Sequence, residues 1–317
     1  MAYYPPGDPG QVDGDSSYPG SLYLTGHTYE KMAAEISIPE PVISRDVQAL
    51  PRATTLQHFH AIEPANSYNN HYTFVGLTYL SSTDRFYTTF YYYYNVAFIK
   101  LISHGAITPD FSEIDGAWWV GERDQLRTPE YDIYAKFLGE IPAEWAAENT
   151  PDKVLLSGGQ RGGGSPDGPG LVAIKPWGGN PHDMPPAEAE LEYTTLLRYQ
   201  ADGSATMAGW IEDDYFDGVA WVTNRGGAAV VLAGEKSYGE YYYGFDDGTR
   251  YSEVVDNVPM NDGISITGSG KGGRARSFRA MLLYYDPGDL SRVAKSQQGI
   301  YSQDDPRYME PHEPQPY

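Results

Sequence analysis

The sequence predicts an all-β fold of propeller type, with about five to seven blades, and three observations predict it. Short apolar runs of strand length recur along the chain, separated by Gly, Pro, Asn or Asp. Composition agrees: 28 Tyr, 35 Gly and 24 Pro stand beside only 21% charged residues, a balance that favours strands joined by tight turns. Long helical periodicity is absent, and several strands open on or near glycine, as the inner strands of a propeller do. At roughly 40–60 residues per blade, 317 residues accommodate that blade number. A pair of β-sandwiches is the competing architecture.

Residues 1–20, "MAYYPPGDPGQVDGDSSYPG", read as an extended Pro/Gly-rich arm. Residues 21–300 form the single all-β domain. Its strand-length runs include "SLYLTGH", "FVGLTYL", "RFYTTFYYYYNV", "GAWWVG", "KVLLSGG", "GLVAIKPW", "TTLLRYQ", "GVAWVTN", "AAVVLAG" and "FRAMLLYYDP". "DGVAWVTNRGGAAVVLAGEKSYGEYYYG" reads as a meander: a strand, an Asn-Arg-Gly-Gly turn, a second strand and an aromatic third. Two short helices are expected, at 142–149 and 287–297. Each follows an apolar run that stops at proline, and "AAEISIPEPVIS" and "GLVAIKPWGG" repeat that first half. This predicts a degenerate repeat whose outer strand ends at proline. "GSLYLTGH" near the start and "FRAMLLYYDP" near the end are expected to share the blade that closes the ring. Residues 301–317 read as a second extended, proline-rich segment.

The formal charge of −21 repels nucleic-acid backbones and anionic membrane surfaces. No run approaches the ~20 apolar residues of a membrane helix, so membrane insertion is not expected. The absence of cysteine removes disulfides, thiolate metal sites and cysteine nucleophiles. A phosphate loop is rejected at "GISITGSGKGG", which lacks the first glycine and the closing Ser/Thr. No nucleophile elbow occurs.

"YPGSLYLTGH", "AEISIPEPVIS", "GLTYL", "IPAEWAAEN", "GVAWVT", "AMLLYYDPGDLSRVAK" and "EPQPY" together resemble a family of exported bacterial proteins of β-propeller type with no established activity. The resemblance spans nearly the whole chain in order. It implies the fold and export, and carries no catalytic residues across.

Four consecutive tyrosines, Tyr91, Tyr92, Tyr93 and Tyr94, alternate between strand faces. Packing between stacked sheets is the plain reading; a glycan-stacking or subunit surface is the functional one. Tyr241, Tyr242 and Tyr243 repeat the pattern, and Trp118 and Trp119 add to the aromatic surface. Glycosidase chemistry needs two carboxyls about 5–10 Å apart, one protonated and one ionised. Glu113 and Asp115 beside the tryptophans, and Asp213 and Asp214 after Trp210, are the candidates, against the plain reading of solvated loop acids. Asp13, Asp15 and Ser17 alternate like the start of a calcium loop, without its glycine or distal glutamate. His58 and His60 share a strand face, but no third zinc ligand is marked by spacing.

These features predict a non-enzymatic extracellular or cell-surface protein that acts by binding or self-assembly, with an oligomer or filament subunit as one form of the latter. Its expected partners are copies of itself or glycans, and no cofactor is required. The alternatives are a glycoside hydrolase with a central propeller pocket and a calcium-stabilised glycan-binding module.

Overall fold

The structure, a computed structural model, describes residues 1–8, 17–26, 31–64, 72–92, 103–120, 136–159, 168–178, 184–185, 189–197, 207, 214–244, 252–254 and 272–296. Sixteen strands fall among them, in four antiparallel sheets arranged as a ring that resembles a four-bladed propeller. The first blade holds β1 (Ala2–Tyr4), β2 (Ser17–Thr25), β3 (Met32–Pro39) and β4 (Thr55–Ala61). The second holds β5 (Tyr72–Leu80), β6 (Arg85–Tyr92), β7 (His104–Ile107) and β8 (Ile114–Trp118). The third holds β9 (Phe137–Glu140), β10 (Leu155–Gly159), β11 (Gly170–Ile174) and β12 (Tyr193–Leu197). The fourth holds β13 (Tyr215–Asn224), β14 (Gly227–Gly244), β15 (Ser252–Val254) and β16 (Gly272–Tyr285).

Four blades replace the expected five to seven, and the ring replaces the sandwich alternative. First strands begin at Ala2, Tyr72, Phe137 and Tyr215, so each blade takes more chain than the assumed repeat. In blades one to three the strands follow chain order from the ring's centre outward. First strands pack side by side, β1 on β5, β5 on β9 and β9 on β13. Glycine makes this approach possible. A Cβ on Gly76 of β5 would lie 2.3 Å from Thr89 Oγ1 and 3.3 Å from the Lys136 carbonyl oxygen; one on Gly139 of β9 would lie 3.3 Å from Val219 Cγ1.

Three buried clusters fill the seams between blades. Tyr23, Phe86, Phe90 and Ile107 join the first to the second; Tyr4, from the stretch read as an arm, packs edge-on against Tyr23 and Tyr79. Leu80, Tyr87, Trp118, Leu138 and Val172 join the second to the third. Phe137, Leu156, Phe216, Leu232 and Leu283 join the third to the fourth. Helices α1 (Ala143–Asn149) and α2 (Pro287–Ser296) stand where short helices were expected, with Ala146, Leu290 and Val293 packed into that last cluster.

Three finer expectations are corrected. "FRAMLLYYDP" lies in β16 beside β14, whereas "GSLYL" lies in β2, so the two do not share a blade. The strand that precedes proline is innermost in the third blade (β9) and pairs outside β14 in the fourth (β16), so it marks no single repeat position. The aromatic third strand of the meander is continuous with the second: β14 runs unbroken because β16 pairs along its length, with one register shift between Tyr238 and Tyr241. Among the described residues, no helix is long and apolar enough to cross a membrane.

Candidate functional site

The expected carboxylates Glu113 and Asp115 meet at the second blade, held by a residue that sequence reading missed. Arg85 opens β6 and is almost fully enclosed. Its Nη2 donates to Glu113 Oε2 at 2.8 Å, and its Nη1 lies 3.6 Å from Asp115 Oδ2. Its guanidinium stacks 4.5 Å over the Trp177 ring. Asp115 is 14% exposed and Glu113 59%, so the two carboxylates sit in different surroundings. Burial raises the Asp115 pKa, opposed by the Arg85 charge and reinforced by Glu113. Trp118 is buried, its indole donating to the Pro185 carbonyl at 3.1 Å. Trp119 extends the blade by a parallel bridge to Glu190. The only sequence signal for Arg85 is a lone cation at the head of an aromatic strand.

The second acidic candidate is divided. Asp213 lies outside the described residues. Asp214 has no exposed surface and pairs with the buried Lys236, Nζ lying 3.0 and 3.2 Å from its two carboxylate oxygens. A carboxylate so enclosed presents nothing to a substrate. Lys136 is also buried, 3.7 Å from Asp217 across the seam between β9 and β13; burial lowers its pKa, with the Asp217 charge opposing. Cations inside apolar runs, as in "AKFLGE" and "GEKSYG", are the signal these two offered.

The histidines disperse. His104 is buried across the seam between the second and third blades, Nδ1 2.8 Å from Ser103 Oγ and Nε2 2.9 Å from Ser157 Oγ. His58 and His60 sit exposed on β4, and the His60 ring stacks on Phe111 at 4.8 Å. Asp13, Asp15, Tyr93 and Tyr94 lie outside the described residues. Ser17 begins β2, and Tyr91 and Tyr92 end β6 opposite Thr73 and Tyr72, their side chains outside the described set. Tyr241, Tyr242 and Tyr243 fall on the part of β14 that runs beyond β13. Among the described residues, no group of three or more acidic or histidine side chains is placed to hold a metal ion.

Among the described residues, the longest fully open stretch belongs to the first blade. β4 is its outermost strand, pairing with β3 through two register shifts. Every β4 residue except the half-buried Gln57 is exposed, including Leu56 at 42% and Phe59 at 54%. The loop 40–54 that leads into β4 is exposed throughout and displays Val42, Ile43, Val47 and Leu50. Local bonds order it in place of burial. Asp46 Oδ1 caps a 3-10 turn at Val47–Ala49 by accepting from Gln48 N at 2.9 Å, and Ser44 Oγ accepts from Asp46 N at 3.0 Å. Its base is tied to β3, the Ser37 and Thr54 backbones each donating across the gap at 2.9 Å.

No family model, curated protein or solved structure matches this chain.

The edges of the second and third blades contrast with β4. Helix α2 packs on β12 at the third blade's edge. Beyond β8, the backbone of Trp119 exchanges hydrogen bonds with that of 189–191. Among the described residues, β4 has no such cover on its outer edge.

Proposed function

We propose that this chain is a non-enzymatic extracellular or cell-surface protein that works by binding or self-assembly, and the structure's features favour the second. The observation that carries this reading is the edge of the first blade, which no other described element covers. An outer strand offers unpaired backbone donors and acceptors to any added strand. Edges that must stay single are commonly guarded by lysine, proline or a cap. Within Thr55–Ala61, "TLQHFHA", neither a charged residue nor a proline occurs. The resemblance to exported propeller-type proteins supports a location outside the cytoplasm. Negative-stain electron microscopy of the purified full chain across a concentration series tests the reading. Regular oligomers or fibres are expected; single particles at every concentration would overturn it.

A second reading, carbohydrate chemistry at the second blade, draws on the contrast between Asp115, raised by burial, and the solvent-facing Glu113. Arg85 weighs against it, because its charge favours the ionised form of Asp115. Glycan hydrolysis by the wild-type chain that disappears in Asp115→Asn would promote this reading over the first.

A further inference from the structure

We propose that the first blade's edge is the contact between two copies of this chain, β4 pairing with β4 of the second copy while the two 40–54 loops pack beside the seam. The proposal rests on the self-assembly reading above and names its surface and partner.

The occupant follows from charge. The chain carries a formal −21, so two copies repel through most of their surface. The stretch 40–61 is different. Arg45 and Arg52 balance Glu40 and Asp46, and β4 itself holds no charged residue. In a two-fold arrangement each copy offers the same patch, so residue i meets j and j meets i. A neutral strand meeting itself places no like charges opposite one another, which would otherwise be destabilising. A loop with both signs in equal number carries no net charge to repel its own copy. A strongly basic partner, by contrast, would be drawn to the acidic remainder of the surface.

Apolar chemistry points the same way. Leu56 and Phe59 on β4, with Val42, Ile43, Val47 and Leu50 on the loop, form an exposed apolar group on one element and its lead-in. Ile43 has no protection at all in the single chain. The 3-10 turn and the serine and aspartate bonds hold the loop in shape before any partner arrives, so little ordering entropy remains to be lost on contact.

Sedimentation velocity of the full chain over a concentration series tests this, comparing wild type with Phe59→Lys, Ile43→Asp and Leu282→Lys. Leu282 is a similarly exposed apolar residue (42%) on β16 of the fourth blade and serves as control. The expected result is a concentration-dependent species twice the chain mass, favoured by added salt because screening weakens the repulsion of the acidic bodies. Phe59→Lys and Ile43→Asp should each weaken association by about tenfold or more, and Leu282→Lys should leave it unchanged. Amide exchange at 55–61 should slow as concentration rises, a readout that needs no variant. Association that is indifferent to both edge variants, without slowing at 55–61, overturns this surface while leaving self-assembly intact. A chain that stays single at its highest soluble concentration overturns both.

Discussion

At the scale of single residues, the described ionisable side chains divide between open solvent and tight pairing inside. His104 is the sharpest case. Burial lowers its pKa to about 3, so the folded chain carries it neutral between two serine hydroxyls. The unfolded chain protonates the same ring below about 6.5, so stability is intact above that pH and falls as pH drops toward 3, by up to about 1.4 kcal/mol per unit. Between pH 6.5 and 5 the loss is about 1.6 kcal/mol by the same relation. Denaturant midpoints measured across that window should fall more steeply for wild type than for His104→Gln; parallel curves would refute the assignment. Arg85 supplies a second case. Its removal strands the largely enclosed Asp115, so Arg85→Met should cost about 3 kcal/mol, and adding Asp115→Asn should restore part of it. A double-mutant cycle by urea unfolding measures the coupling, and strict additivity would count against the pair. Neither role was legible in the sequence, because Arg85 and His104 lie far along the chain from Trp177 and Ser157, and the pairing exists only once the blades stack.

At the scale of elements, far more was legible. The apolar runs became strands because their aromatic and β-branched residues suit a pleated surface covered on both sides, and both expected helices start at or just after a proline. Glycine inside these strands marked close approach, as at Gly158 of β10. A Cβ there would lie 2.3 Å from the Gly170 carbonyl oxygen and 2.5 Å from the Phe137 ring. Backbone cannot step aside cheaply, so Gly158→Ala should destabilise by about 3 kcal/mol. Gly178, with no neighbour within 4 Å of such a Cβ, should tolerate the same change within about 0.5 kcal/mol. Thermal and urea unfolding of the two variants side by side checks this, and equal costs would show the strand approach to be softer than it looks. What the sequence hid at this scale was continuity: β14 reads as two strands because Tyr238–Tyr243 changes composition, and only its pairing with β16 joins the halves.

At the scale of the whole molecule, the blade count was misread because connections are long and repeats degenerate, so strand tallies divide ambiguously into sheets. Which blades share cores also appears only in three dimensions. Among the described residues, the second and third blades each contribute to two seams, whereas the first and fourth contribute to one cluster apiece. Strands sharing two cores should open last. Native-state hydrogen exchange should therefore find its slowest amides in β10 and β11 of the third blade and faster ones in β3. Equal protection in β3 and β10 would mean the ring opens as one cooperative unit.

The reach of β14 has a mechanical meaning. β13 accompanies it only as far as Glu235, and residues 236–244 continue with β15 and β16 alone. Nine residues of strand add about 30 Å. With β13 ended, that length is held to the blade by the β16 ladder, joined over Glu240–Tyr242 by β15, so a break in β16 would release more of the blade than its own strand.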